Sequence, residues 1–257
     1  MNETRRILKT AVTSVFLFVC EVARPVCRFQ EVSVLCYHSV GEDGWELSTP
    51  PSKFRRELDF FKRRGYYFAT LDEIAAYARK KRPLPLQTLA VTFDDGYGSV
   101  FTQAFPILKE MNIPAAVFLV ADFEGSREAR RCALPGLSEE QVSEMENSRL
   151  ITFGYHSKTH PSLTELHGAA LDAELAPPKP YRYFAYPGGH HSKEAHEALA
   201  RNGYCAAFTI SPGLVRRGSN PYAIRRSVVT ADMPLWQVYM RTTKAIDWYR
   251  ALVRRIR

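Results

Sequence analysis

Cysteine is scarce and irregular in this chain: five in 257 residues (Cys20, Cys27, Cys36, Cys132 and Cys205), with no CxxC pair among them. An odd, unspaced set argues against a disulfide framework and against a structural zinc knot. It leaves buried free thiols and fits a reducing compartment. Long apolar runs are also lacking. The uncharged stretch Thr10 to Cys20 (TAVTSVFLFVC) has 11 residues and stops at Glu21, against the roughly 20 a spanning helix needs. With Arg5, Arg6 and Lys9 ahead of it, the stretch is like the apolar region of a signal peptide, but no small-x-small cleavage site follows. A buried or amphipathic helix is expected there. A cytoplasmic or membrane-peripheral location is favoured, and export is left open. Acidic side chains are outnumbered, 27 to 35, for a net charge of +8. That favours anionic partners or reflects a generally basic surface. No motif or aromatic platform points to nucleic acid.

What is present is an alternation of strand and helix patterns. Strands are expected at Val32 to Tyr37, Tyr67 to Thr70, Thr88 to Phe93, Ala115 to Val120, Leu150 to Phe153, Tyr183 to Tyr186 and Tyr204 to Ile210. Helices are expected at Lys53 to Arg64 with Ser52 as N-cap, Leu71 to Lys80, Val100 to Met111, from the capping box Ser138-Glu-Glu-Gln141 to about Asn147, and Glu194 to Asn202. Such alternation without repeats implies an α/β fold with a parallel sheet, open or closed into a barrel, as one domain. We divide the chain into an apolar and basic segment (1–30), a catalytic domain (31–232) and a basic amphipathic C-terminal helix (233–257).

In parallel α/β folds chemistry gathers at the carboxyl ends of the strands. There the sequence puts His38, Asp94 with Asp95, His156 with His160, and Pro187-Gly188-Gly189. Two histidines four apart can converge on one ion, and Asp95 can add a carboxylate, which gives the three-ligand set of a catalytic metal site. The cation would relieve the repulsion between Asp95 and Asp94. Asp94 would then be free to take a proton from a water acidified by the metal. The plainer alternative is a polar turn with an Asp helix cap. Ser157 is expected to brace the histidine loop, and Thr92 to orient the carboxylates. His190 and His191 are expected at a helix start or a substrate rim rather than as ligands.

Thr92-Phe-Asp-Asp-Gly96, His156-Ser-Lys-Thr-His160 and Phe184-Ala-Tyr-Pro-Gly-Gly189, in this order, resemble successive motifs of the polysaccharide deacetylase family, from about Val34 to Val229. The resemblance implies a distorted, incomplete (β/α) barrel that uses a divalent metal (zinc first, with iron, cobalt or manganese as alternatives) to hydrolyse an N-acetyl group on a sugar. It makes Asp94 the base, Asp95, His156 and His160 the ligands, and the backbone around Pro187 and Gly188 an oxyanion donor, with Tyr186 beside it. FAYPGG and the pair Tyr37-His38 resemble the poly-N-acetylglucosamine deacetylase branch, which makes His38 the acid for the leaving amine.

Two features depart from the pattern. Ala185 stands where many relatives carry an arginine that tethers the base, so Arg225 or Arg226 is expected to replace it. The span between His160 and Phe184 is short, with room for about two helical turns at Ala169 to Leu175. The C-terminal stretch from Arg241 holds six basic residues and one Asp, a pattern that fits an anionic membrane surface or a solvated helix face. Besides the N-deacetylase reading, two others stay open: a deformylase or deacetylase of a lipid-linked aminosugar, and a non-catalytic carbohydrate-binding relative.

Overall fold

The structure is a computed structural model that describes residues 30–124 and 134–247. The expected N-terminal helix, Cys20, Cys27, Cys132 and the end of the C-terminal segment lie outside the described residues. Every pairing in the main sheet is parallel, in the order β10-β1-β5-β6-β7-β8-β9, with β4 added on β5. The strands are β1 (Glu31–Tyr37), β4 (Tyr67–Phe68), β5 (Gln87–Phe93), β6 (Ala115–Leu119), β7 (Ile151–Tyr155), β8 (Tyr183–Ala185), β9 (Ala206–Phe208) and β10 (Ser227–Val228), while β2 (Ser39–Val40) and β3 (Ser48–Thr49) pair separately. β1 and β5 are buried almost throughout, as expected for strands covered on both faces.

The sheet curls into a distorted barrel. Its two edges approach through Ile224, which bridges Phe208 at the end of β9, three residues before β10 joins β1. β7 and β8 share one register pair, Tyr155 with Phe184. This thin seam lies beside the short 161–182 span, whose helix is two turns long, Gly168–Leu175.

The helices follow the sequence closely: α1 (Pro51–Arg63), α2 (Leu71–Ala78), α3 (Phe105–Met111), α4 (Glu139–Asn147), α5 (Gly168–Leu175), α6 (Lys193–Arg201) and α7 (Leu235–Arg241). The capping box on α4 is present, with Ser138 accepting from Gln141 N. Ser52 is not the cap of α1. That helix starts at Pro51 with no side-chain cap, because a proline at the first turn is already set for helical φ and has no N–H to satisfy. The C-terminal segment is not one continuous helix either. α7 ends at Arg241, and the hydroxyls of Thr242 and Thr243 donate back to the carbonyls of Tyr239 and Met240, a local bond that competes with helix continuation. α7 packs inward through Val238 and Tyr239, and Tyr239 meets Phe60 edge-on at 5.4 Å.

Under β1, Tyr37 donates to Glu57 Oε2 at 2.8 Å, and Lys53 lies 3.6 Å from the other oxygen. Burial raises the Glu57 pKa from 4.5 to about 6, with Tyr37 and Lys53 pulling against it. A carboxyl with a raised folded pKa stabilises the fold most when protonated, so this contribution is complete below about pH 4.5 and gone above about pH 6. We expect the wild type to lose about 2 kcal/mol across that window relative to Glu57→Gln. Urea unfolding of both proteins as a function of pH measures the difference, and parallel curves would contradict it.

Candidate active site

Three strand ends deliver the site. Asp94 N donates to Tyr37 O at 3.0 Å, and His156 N donates to Leu119 O at 2.8 Å. Each motif therefore begins as the last rung of a ladder. The backbone then turns sharply: Asp95, Ser157 and His160 have φ of 72°, 69° and 63°. Non-glycine residues seldom occupy this left-handed region, and its cost is characteristic of functional loops. The loops are tied together through Val120 N to Asp95 O and Ala121 N to Ser157 O.

Asp95, His156 and His160 converge, with ligand atoms all within 4.8 Å of one another. Asp95 Oδ1 lies 3.4 Å from His156 Nε2 and 3.5 Å from His160 Nε2. His156 Nδ1 bonds the carbonyl of Ala185 at 2.8 Å. A carbonyl only accepts, so this nitrogen carries the proton and Nε2 turns its lone pair toward Asp95. Asp95 Oδ1 is buried and has no hydrogen-bond partner. A lone pair facing an unsatisfied carboxylate oxygen repels it unless a proton or a metal ion lies between them, and two imidazoles with one carboxylate are a donor set that fits a divalent metal. Ser157 Oγ accepts from His160 N at 2.9 Å, as expected of a brace.

Asp94 sits beside this set, 2 % exposed. Arg226, fully buried, grips both its oxygens at 2.6 and 2.7 Å, and donates to Thr92 Oγ1 at 3.2 Å and to Thr209 O. Thr92 in turn donates to Leu35 O at 2.8 Å. The guanidinium is packed against Phe118 and Phe208, 5.2 and 5.9 Å from their ring centres. Burial alone would push the Asp94 carboxyl up, but the charge of Arg226 and its hydrogen bonds outweigh it and hold Asp94 far below the usual carboxylate range. Asp94 is therefore ionised at any physiological pH. Arg226 thus occupies the place the sequence left open, while Arg225 points elsewhere, 3.7 Å from Asp247, and is no part of the site.

His38 and Cys36 approach from β1. A ligand atom of each lies within 4.8 Å of an Asp94 oxygen. Burial lowers the His38 pKa against the pull of Asp95 and Asp94, and its Nδ1 is enclosed without a partner. Cys36, passed over in the sequence as a buried thiol, donates to Asp94 Oδ2 at 3.3 Å. Tyr186 is buried and its hydroxyl donates to Tyr222 O, so it supports the turn from beneath. The turn is tight: a Cβ at Gly189 would lie 2.7 Å from Ile210 N, at a φ of 73°. Gly188, exposed at φ 63°, is its accessible tip, and Pro187 is buried beneath it. His190 and His191 lie away from the ligand set, and His191 pairs with His196 at 2.9 Å. Glu174 was also missed. From α5 it accepts from the amides of Lys158 and Thr159 and from Thr159 Oγ1, so the short helix anchors the histidine loop.

A family profile of polysaccharide deacetylases matches residues 81–207. The solved structure of IcaB from Ammonifex degensii superposes with a TM-score of 0.70 at 30 % identity, over 83 % of this chain and 97 % of that one. The chain belongs to the polysaccharide deacetylase family. It is 27 % identical over 202 residues to a poly-beta-1,6-N-acetyl-D-glucosamine N-deacetylase of Staphylococcus epidermidis, covering 72 % of this chain and 69 % of that protein. The Streptococcus pyogenes deacetylase PplD shares the fold at 21 % identity, with a TM-score of 0.70 over 83 % of this chain and 98 % of that one. As a member of this family the chain is an enzyme of the carbohydrate deacetylase class, and the curled parallel sheet is the family's architecture.

Proposed function

We propose that this polysaccharide deacetylase removes N-acetyl groups from a polymer of N-acetylglucosamine, with β-1,6 linkage preferred, through a divalent metal held by Asp95, His156 and His160. The observation that carries the reading is the pairing of two unlike carboxylates. Asp95 faces two imidazoles with a buried Oδ1 that lacks a hydrogen-bond partner, while Asp94 is clamped by Arg226. Zinc, iron(II), cobalt or manganese would suit two imidazoles and a carboxylate. When bound, the ion supplies Lewis acidity, which acidifies water and polarises the acetyl carbonyl. The remaining roles fall to the chain. Asp94, fixed as an anion, accepts a proton from the attacking water. Arg226 keeps both its oxygens in register, and the Gly188 turn lets a backbone N–H approach the developing oxyanion. His38, on the Asp94 side, delivers a proton to the departing amine. The β-1,6 preference rests on the named staphylococcal relative.

Acetate release from β-1,6-linked and β-1,4-linked N-acetylglucosamine oligomers, with protein reconstituted in each of the four metals, tests this. We expect at least about tenfold higher kcat/KM on the β-1,6 series, roughly the discrimination a modest difference in transition-state contacts supplies. No acetate from either series, together with turnover of an N-formyl aminosugar, would replace the reading with a deformylase.

A further inference from the structure

The face of the barrel opposite the site carries an unusual concentration of charge. α2 runs out into Arg79-Lys80-Lys81-Arg82, and Pro83-Leu84-Pro85-Leu86 leads into β5. The loop Arg216-Arg217-Gly218 lies alongside, with Gly218 N donating to Ala78 O at 2.8 Å and Arg217 donating to Lys80 O at 3.2 Å. Arg182, at the foot of β8, lines the same cleft as Arg79, Lys81 and Arg82. Lys80, Lys81, Arg82, Arg182, Arg216 and Arg217 are all exposed. The acidic groups interleaved with them already have basic partners: Asp72 takes Arg182, Glu73 takes Arg82 and Asp247 takes Arg216. The surplus is positive.

Apolar surface accompanies the charge. Among the described residues the exposed large hydrophobics are Tyr67 and Leu86, at 39 % and 42 %. Both lie at this end, since Tyr67 pairs with Thr88 and Leu86 precedes β5. Leu84 is buried and clamps the loop, while Leu86 two residues on faces outward between Pro85 and the strand. Both ends of the described chain also leave from here. Gln30 bonds the carbonyls of Leu84 and Pro85, Glu31 N donates to Leu86 O, and Lys244 N donates to Glu31 Oε1. Residues 1–29 carry five basic side chains and the uncharged run Thr10 to Cys20, and the ten residues after Asp247 carry four arginines.

We propose that this floor is a docking surface for an anionic phospholipid bilayer. Lys80–Arg82, Arg182 and Arg216–Arg217 would meet the headgroups, and Leu86 and Tyr67 would enter the interface. Basic side chains ringing a few exposed apolar ones suit an interface of lipid phosphates over acyl chains. A nucleic acid offers phosphates for the basic side chains but no continuous apolar layer for Leu86 to enter. Because all the strands are parallel, the metal ligands and Asp94 lie at the other end of the sheet, about 20 Å away along β1. The site therefore opens away from the bilayer, toward a polymer in solution and not toward a sugar held at the headgroup plane.

Flotation of the full chain with vesicles of phosphatidylcholine alone, or mixed with phosphatidylglycerol, tests the proposal. The wild type is expected to float only with the anionic vesicles and to be released by added salt. Lys80→Gln/Lys81→Gln/Arg82→Gln should weaken partitioning about 100-fold, at roughly one headgroup interaction per charge. Leu86→Gln should weaken it several-fold. Both variants should keep the wild-type melting temperature and acetate release from soluble oligomers. Four results would overturn the proposal: no flotation of the wild type, equal flotation with neutral vesicles, a triple variant that floats like wild type, or tighter binding to single-stranded nucleic acid than to vesicles. The third would assign binding to the chain ends and not to the floor.

Discussion

Asp94→Asn is expected to cut acetate release by about a thousandfold while the protein keeps its metal, and His156→Ala to lose most of the metal along with activity. A general base contributes roughly 10²–10⁴ in rate, and asparagine cannot accept the proton. Metal retention follows from the geometry, because the proposed ligands are Asp95, His156 and His160, and Asp94 shares none of its oxygens with them beyond a 4.0 Å approach to His156. His156→Ala removes a ligand whose orientation is fixed by Ala185 O, and the remaining two are too few for a stable site. The asparagine also has a structural consequence. Its amide would turn an N–H₂ toward the Arg226 guanidinium, donor against donor, and leave a buried cation without its partner. A lower melting temperature therefore accompanies the loss of rate, and metal content separates the two effects. Metal analysis, melting and acetate release on the same preparations make the comparison. Asp94→Asn with a tenth or more of wild-type turnover would remove Asp94 as the base, and full metal content in His156→Ala would remove His156 as a ligand.

The parts of the site legible in the sequence are those that sit one residue past a buried strand. The Asp-Asp-Gly of TFDDG follows β5 and HSKTH follows β7, so an apolar run followed by abrupt polarity marks both. The partners that complete them come from far away in sequence and lack such a signal. Arg226 is 132 residues from Asp94. Its neighbour Arg225 is chemically identical, and only the barrel's closure decides between them. Ile224 bridges Phe208 with its side chain buried, and side chains two apart share a face, so Arg226 follows Ile224 inward while Arg225 turns out. The alternation was present in Ala223-Ile-Arg-Arg-Ser-Val228, but a two-residue strand is too short to announce its register. Cys36 and Glu174 were missed for the same reason. Each is ordinary by type and matters through a contact that spans 58 or about 16 positions. The α1 cap and the C-terminal helix went wrong where local chemistry, a first-turn proline and two threonine hydroxyls, outweighed periodicity.

Arg226→Met should be the most damaging single change outside the metal ligands. It strands Asp94 as a buried anion, and breaking such a pair costs about 3–5 kcal/mol, enough to threaten a domain of ordinary marginal stability. Arg226→Lys keeps the charge but offers a point donor in place of a fork. It cannot hold both oxygens and reach Thr92 and Thr209 as the guanidinium does. It should recover most of the stability and little of the rate, which separates charge compensation from positioning. A double-mutant cycle makes the argument quantitative. Asp94→Asn/Arg226→Met removes both charges, so its loss of stability should fall short of the sum of the single losses by about 2 kcal/mol, the size of coupling expected for side chains in direct contact. Urea unfolding of the four proteins measures it, and additive losses would mean that the pair does not act as a unit. The family's usual arginine position gives a further arm. Ala185 is fully buried, and its strand neighbour in register is Phe208, one of the two rings that hold the guanidinium. An arginine there should be overpacked beside Arg226. Once Arg226→Ala has emptied the space, Ala185→Arg should restore at least about tenfold of the lost kcat, since one bidentate grip on a carboxylate can stand in for another. Failure of that exchange would show that the base depends on the direction from which its arginine arrives, because Arg226 comes from the closing edge of the barrel and Ala185 from within β8.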